Sequence, residues 1–242
     1  DALVLEPRRF WPSPVLAEVC KVLPDALERY ENGRPKMIIP ERLRAQTGRV
    51  LCGYGDAGWG REVAHGKYES GRFSEALVAA AAELIQRTWR PAPPPQWVTA
   101  VPSARQAELV LDFARRLAAK LGLPFTPALH KRRDKPPQKE MQNSVQQLRN
   151  VLNAFQVTEA PALEPPGAEI TTPGLTRIFQ QLARRVTSTL GVAPALPSVP
   201  VLLVDDMVDS GWTLTLVAVL LQRQGSGPVY PFALAKASPR GR

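Results

Sequence analysis

Residues 201–213 read VLLVDDMVDSGWT, and this segment constrains the fold more than any other stretch of the 242-residue chain. An apolar run over Val199–Val204 ends in two adjacent acids, Asp205 and Asp206. A turn holding Ser210, Gly211 and Thr213 follows, and a helix is expected from about Thr213 to Gln224, closed by Gly225 and Gly227. Val229–Ala235 then reads as a last strand. Strand, turn and helix in this order belong to an open parallel sheet, where ligands bind beyond the carboxyl ends of the strands. Two neighbouring carboxylates raise each other's pKa, so acids at such a place need polar partners, either sugar hydroxyls or a bound cation. The helix behind the turn offers unpaired N–H groups to a phosphate, and Gly211 lets the backbone approach it.

The rest of the chain supplies the remaining elements. Leu77, Ala81, Leu84, Ile85 and Trp89 lie on one face of a helix over 73–90, which Pro91 and Pro93–Pro95 stop. Trp97–Val101 reads as a short buried strand, and Leu109, Val110, Phe113, Leu117 and Leu121 form the apolar face of a helix over 106–121. Phe125–Leu129 is expected to be a second strand, giving the strand–helix–strand alternation of a parallel sheet. A basic stretch, HKRRDKPPQKE at 130–140, reads as a mobile loop before a helix near 143–150. Residues 158–198 read as an insertion, with Leu175, Phe179, Leu182, Val186 and Leu190 at amphipathic spacing between Pro-rich stretches. Residues 1–70, punctuated by prolines and ending in the glycine-dense GYGDAGWG of Gly53–Gly60, are expected to form a small accessory region, separate from a domain over 71–242.

Charge and composition narrow the function. The net charge of +9 calls for an anionic partner, either nucleic acid or a phosphorylated small molecule. Cys20 and Cys52 lie 32 positions apart with no Cys-x-x-Cys pair, and His65 and His130 are equally isolated, so no structural zinc is expected in this chain. No apolar run approaches the ~20 residues of a membrane span, and with so few cysteines a soluble cytoplasmic protein is expected, with no membrane partner. A start at Asp1 suggests a piece of a longer protein. A phosphate-binding ATPase loop needs G-x-x-x-x-G-K-[ST]. The nearest candidate, Gly60 to Lys67, has five residues between its glycines and Tyr68 after the lysine, so neither ATP hydrolysis nor unwinding is expected.

The segment 201–213 resembles the phosphoribosyl-pyrophosphate loop of type I phosphoribosyltransferases. That resemblance implies a three-layer α/β fold with a mostly parallel sheet. It implies that Asp205 and Asp206 contact the ribose hydroxyls, that Val208, Asp209, Ser210, Gly211, Trp212 and Thr213 wrap the 5′-phosphate, and that Asp209 is a candidate catalytic group acting on a base nitrogen. Trp212 departs from the smaller or basic residue usual there. It further implies pyrophosphate contacts from Ser103 and Arg105, the latter equally readable as a solvated helix start. Lys131, Arg132, Arg133 and Lys135 then close over the leaving group or contact nucleic acid, or form a solvated charge run. Magnesium is implied with phosphoribosyl pyrophosphate, without an assigned protein ligand.

Gln138, Arg149, Asn150, Ala154 and Phe155 are spaced as in ComF-type phosphoribosyltransferase-like proteins. The stretches 53–73, 101–125, 135–155 and 201–215 together resemble the C-terminal extension of a subgroup of RecQ-like DNA helicases, with the 158–198 insertion as a departure. This implies a helicase core as partner, a role in DNA repair or recombination, and contact with single-stranded DNA. Three functions therefore stand open: a ligand-binding regulatory module of a helicase, an active phosphoribosyltransferase, and a structural DNA-binding domain with a vestigial site. Trp59 reads either as core or as a stacking surface for a base.

Overall fold

The computed structural model describes residues 2–103, 107–131, 144–158, 164–166 and 196–237. Its centre is a five-stranded sheet of β1 (Leu3–Leu5), β2 (Gly48–Gly53), β3 (Trp97–Ala100), β6 (Val201–Val208) and β7 (Val229–Lys236). The spatial order is β1-β2-β7-β6-β3, and only the edge strand β1 is antiparallel to its neighbour. Two short strands, β4 (Leu129–Lys131) and β5 (Phe155–Val157), pair antiparallel in a separate ribbon.

Burial on both faces explains why β6 and β7 are nearly continuous apolar runs instead of alternating ones. Successive side chains leave opposite faces of a strand. Val201, Leu203, Val229 and Ala233 join one core with Trp11, Val15 and Leu148, whereas Leu202, Val204, Tyr230 and Phe232 join the other with Val63, Leu77 and Phe113. Helices α2 (Trp59–His65), α3 (Glu75–Glu83) and α4 (Ala107–Leu121) cover the second face, while α1 (Leu16–Val22), α5 (Ser144–Val151) and α6 (Trp212–Arg223) cover the first. The protein is thus a three-layer α/β structure with a mostly parallel sheet, as expected.

Several boundaries differ from the sequence reading. The division expected at residue 70 does not coincide with an edge of the sheet, because β2 lies inside it, parallel to β7 from Arg49 opposite Phe232 to Gly53 opposite Lys236. The strand expected over 125–129 is interrupted, with bridges at Phe125 and a new strand, β4, beginning only at Leu129. Phe125 pairs with Val98 and Glu164, and Pro127 has no N–H to extend the ladder. The helix expected to Arg90 is α-helical only to Glu83 and continues as a π-helical stretch, Leu84–Trp89, ended by Arg90 in the left-handed region. Lys131, expected in a loop, lies on β4. The amphipathic helix expected within 158–198 lies outside the described residues.

A second π-helical stretch, Gly66–Ser70, follows α2 directly. Gly66 is required there by close approach, since a Cβ would stand 2.6 Å from the Phe73 ring. Among the described residues, no helix is long and apolar enough to cross a membrane.

Candidate functional site

The strand β6 is held in register with β7 from Val201 to Val208, so it runs past the two acids instead of stopping before them. Asp205 lies opposite Ala233, Met207 opposite Ala235 and Val208 opposite Lys236. Both acids are therefore part of the sheet and buried, at 7% and 9% exposure. Burial first, and the neighbouring Asp206 charge second, hold the Asp205 carboxyl well above the ordinary carboxylate range. Asp205 Oδ1 accepts the backbone N–H of Asp206 at 2.8 Å.

Asp206 has its own counter-charge. Lys67 Nζ, carried by the π-helical turn, lies 2.7 Å from Asp206 Oδ2 and donates to Met207 Sδ at 3.2 Å. The Lys67 ammonium thus faces Asp206, whose charge is the second cause of the upward shift at Asp205.

Beyond the acids the chain turns through Asp209 and Ser210 into Gly211, whose φ of +80° is in the left-handed region. Gly211 is the N-cap of α6, and no side chain caps the helix start. The start of α6 carries the positive end of the helix dipole, which favours an anion nearby. A cleft of about 230 Å³ opens here, lined by Asp205, Met207 and the whole turn Val208–Thr213, with Gln147, Asn150 and Val151 of α5 opposite. Its volume is below the ~300–1,000 Å³ of a drug-sized site, a scale suited to a sugar phosphate.

The turn is braced from outside. Arg8 donates to the Ser210 carbonyl through both Nε (2.9 Å) and NH2 (2.6 Å) and lies 5.6 Å over the Trp212 ring. Trp212, 3% exposed, stacks on Trp11 with ring centroids 5.9 Å apart. Its bulk therefore joins the start of α6 to the N-terminal segment. On the cleft side, Gln147 Nε2 donates to Asp209 Oδ2 at 2.6 Å, while Gln147 Oε1 is buried without a hydrogen bond.

Asp205, Val208, Asp209, Ser210, Gly211, Trp212 and Thr213 are therefore brought together on one cleft, and Asp206 stands behind it on Lys67. Ser103 follows β3 at the same end of the sheet and does not line the cleft. Arg105, Arg132, Arg133 and Lys135 lie outside the described residues. Lys131 projects from β4 with Nζ 5.7 Å from the Phe155 ring. Trp59 is exposed at 39%, so its reading as core is not what the structure shows.

Four partners of the site were not singled out from sequence: Arg8, Trp11, Lys67 and Gln147. Lys67 and Gln147 fall within stretches 53–73 and 135–155, which carry the resemblance, so a signal was present at the level of segments. For Arg8 and Trp11 no local pattern points to residues two hundred positions away.

No protein-family model and no curated protein matches the chain. Among solved structures it is similar to orotate phosphoribosyltransferase from Aeropyrum pernix, at 15% identity and a TM-score of 0.31, over 91% of this chain and 81% of that one. A likeness at that TM-score carries no chemistry with it, and what the site can do follows from the cleft's own residues.

Proposed function

We propose that the chain is a phosphoribosyltransferase-like module that binds a ribose 5-phosphate moiety, serving as a regulatory or binding domain of a RecQ-like DNA helicase. The observation that carries the ligand reading is the meeting of Asp205 and the Gly211-led start of α6 on one cleft of about 230 Å³. The helicase context is supported by the sequence resemblance over 53–73, 101–125, 135–155 and 201–215.

In this reading the amides at the start of α6 hold the 5′-phosphate, favoured by the helix dipole. Asp205, in its neutral form, both donates to and accepts from ribose hydroxyls. An amide can do the same, so Asp205→Asn is expected to bind nearly as the unaltered protein does. Asp205→Leu keeps the shape but loses both roles. At about 1 kcal/mol per lost hydrogen bond and a further cost for unpaired hydroxyls, it is expected to weaken ribose 5-phosphate binding about tenfold. Calorimetry with ribose 5-phosphate, phosphoribosyl pyrophosphate and nucleoside monophosphates tests this. If folded protein binds none of them at millimolar concentration, the loop is a relic and the proposal fails.

Transferase turnover is the alternative use of the same cleft. Asp209 lines it and is oriented by Gln147. Pyrophosphate release on adding a nucleobase, lost in Asp209→Asn with binding largely kept, would establish an enzyme instead of a sensor.

One further observation favours a contact with single-stranded DNA. Trp59, at the start of α2, is 39% exposed, and Tyr68, on the π-helical turn that follows α2, is 66% exposed with Lys67 Nζ 5.9 Å from its ring. Exposed rings beside cations suit base stacking, worth about 1–3 kcal/mol per base. Fluorescence anisotropy is expected to show weak binding that falls about tenfold or more between roughly 50 and 200 mM salt. Trp59→Ala should weaken it further at either salt concentration. Binding that does not change with salt, or that ignores Trp59, removes this contact.

A further inference from the structure

We propose that Lys67 is the built-in counter-ion of the ribose-phosphate cleft, so that a phosphate monoester binds there without a divalent cation. This rests on the ligand reading above and says how the cleft tolerates a second anion. Two carboxyl groups precede the turn, and if both were ionised they would oppose the arrival of a phosphate beside them. In a buried site that repulsion is poorly screened. A positive charge has to be supplied, either by a metal ion arriving with the ligand or by the protein.

The geometry points to the protein. Lys67 Nζ is 2.7 Å from Asp206 Oδ2 and 3.2 Å from Met207 Sδ, and Met207 itself lines the cleft. The ammonium is therefore one side chain behind the cleft wall, on a lysine 21% exposed. The turn bearing it is fixed by Gly66, which packs against Phe73 where no Cβ would fit. Lys67 thus offsets the Asp206 carboxylate, and burial biases Asp205 toward its neutral form. A phosphate then meets the positive end of α6 unopposed.

The same arrangement suits magnesium poorly. Magnesium demands near-octahedral oxygen ligands at about 2.0–2.1 Å and favours ionised carboxylates. Asp206 is engaged by Lys67, burial biases Asp205 toward its neutral form, and among the described residues no group of three or more acids, histidines or cysteines is placed to hold a metal.

The test is calorimetry of ribose 5-phosphate with the full 242-residue chain, once with a chelator and once with magnesium. The unaltered protein is expected to bind equally in both. Lys67→Met is expected to lose about tenfold or more in chelator, as a buried charge left unpaired would imply, and to regain part of it with magnesium. Lys67→Arg should remain indifferent to the metal. Unaltered protein that needs magnesium for binding, or Lys67→Met that binds normally in chelator, overturns the proposal. Should Lys67→Met fail to fold, the comparison on unaltered protein still decides. If unaltered protein binds ribose 5-phosphate in neither condition, the ligand reading itself has failed. Manganese binding by electron paramagnetic resonance then judges Lys67 separately. Unaltered protein is expected to leave the free-ion signal intact and Lys67→Met or Lys67→Gln to diminish it. Manganese bound as tightly by unaltered protein as by the variant sinks the counter-ion role.

Discussion

Replacing Trp212 with alanine is expected to lower the unfolding free energy by about 3–5 kcal/mol, the range for deleting a large buried aromatic. Trp212 is 3% exposed, stacks on Trp11 and carries the Arg8 guanidinium over its face. Trp11 is itself 1% exposed and donates from Nε1 to the Ala26 carbonyl at 3.0 Å, so it cannot readily move into the space left behind. The cavity would remain, and with it most of the loss. Against a total stability of about 5–15 kcal/mol for a domain, this is a large fraction. Urea denaturation followed by circular dichroism measures it, with Trp212→Phe expected to lose much less. A loss below about 1 kcal/mol for the alanine variant would show that the two tryptophans do not pack as described.

Gly211→Val is expected to abolish ribose 5-phosphate binding at millimolar concentration while leaving a folded protein. Two effects combine. At φ +80° any side chain is strained, at about 1–3 kcal/mol, and a β-branched one more so. A Cβ at this position meets nothing within 4 Å, so the stability loss comes from backbone conformation and not from a clash. That open space adjoins the cleft, where the valine methyls would project against an incoming phosphate. Gly211→Ala separates the two effects, because it takes the same strain with a smaller intrusion. Melting temperatures should fall in both variants, but affinity should fall much further in valine. If Gly211→Val binds as the unaltered protein does, the phosphate is not held by this turn.

The parts of this fold that were readable in sequence are those whose burial is complete or strongly periodic. β6 and β7 are apolar because helices cover both faces, and α4 shows its Leu109, Phe113 and Leu117 stripe because it covers only one. What could not be read depended on distant partners. The extension of β6 through Asp205 and Asp206 is set by the length of β7, which hydrogen-bonds them into the sheet. β2 was hidden because GRVLCG is short, glycine-flanked and embedded in turn-rich sequence, and only its seat beside β7 makes it central. Lys67 fails the spacing of a nucleotide-loop lysine, so local pattern assigns it no site. Its place beside Asp206 and Met207 comes from a π-helical turn that lies 140 positions before Met207 in the chain.

The Arg8 clamp has a directional consequence. A peptide carbonyl and the N–H of the same peptide unit point to opposite sides. By gripping the Ser210 oxygen twice, Arg8 therefore also aims the Gly211 N–H, on a loop whose glycine would otherwise be free to rotate that plane. The direction of that amide is thus a tertiary construction: a peptide spanning only β6 and α6 would contain every residue of the loop and lack the brace that sets its polarity.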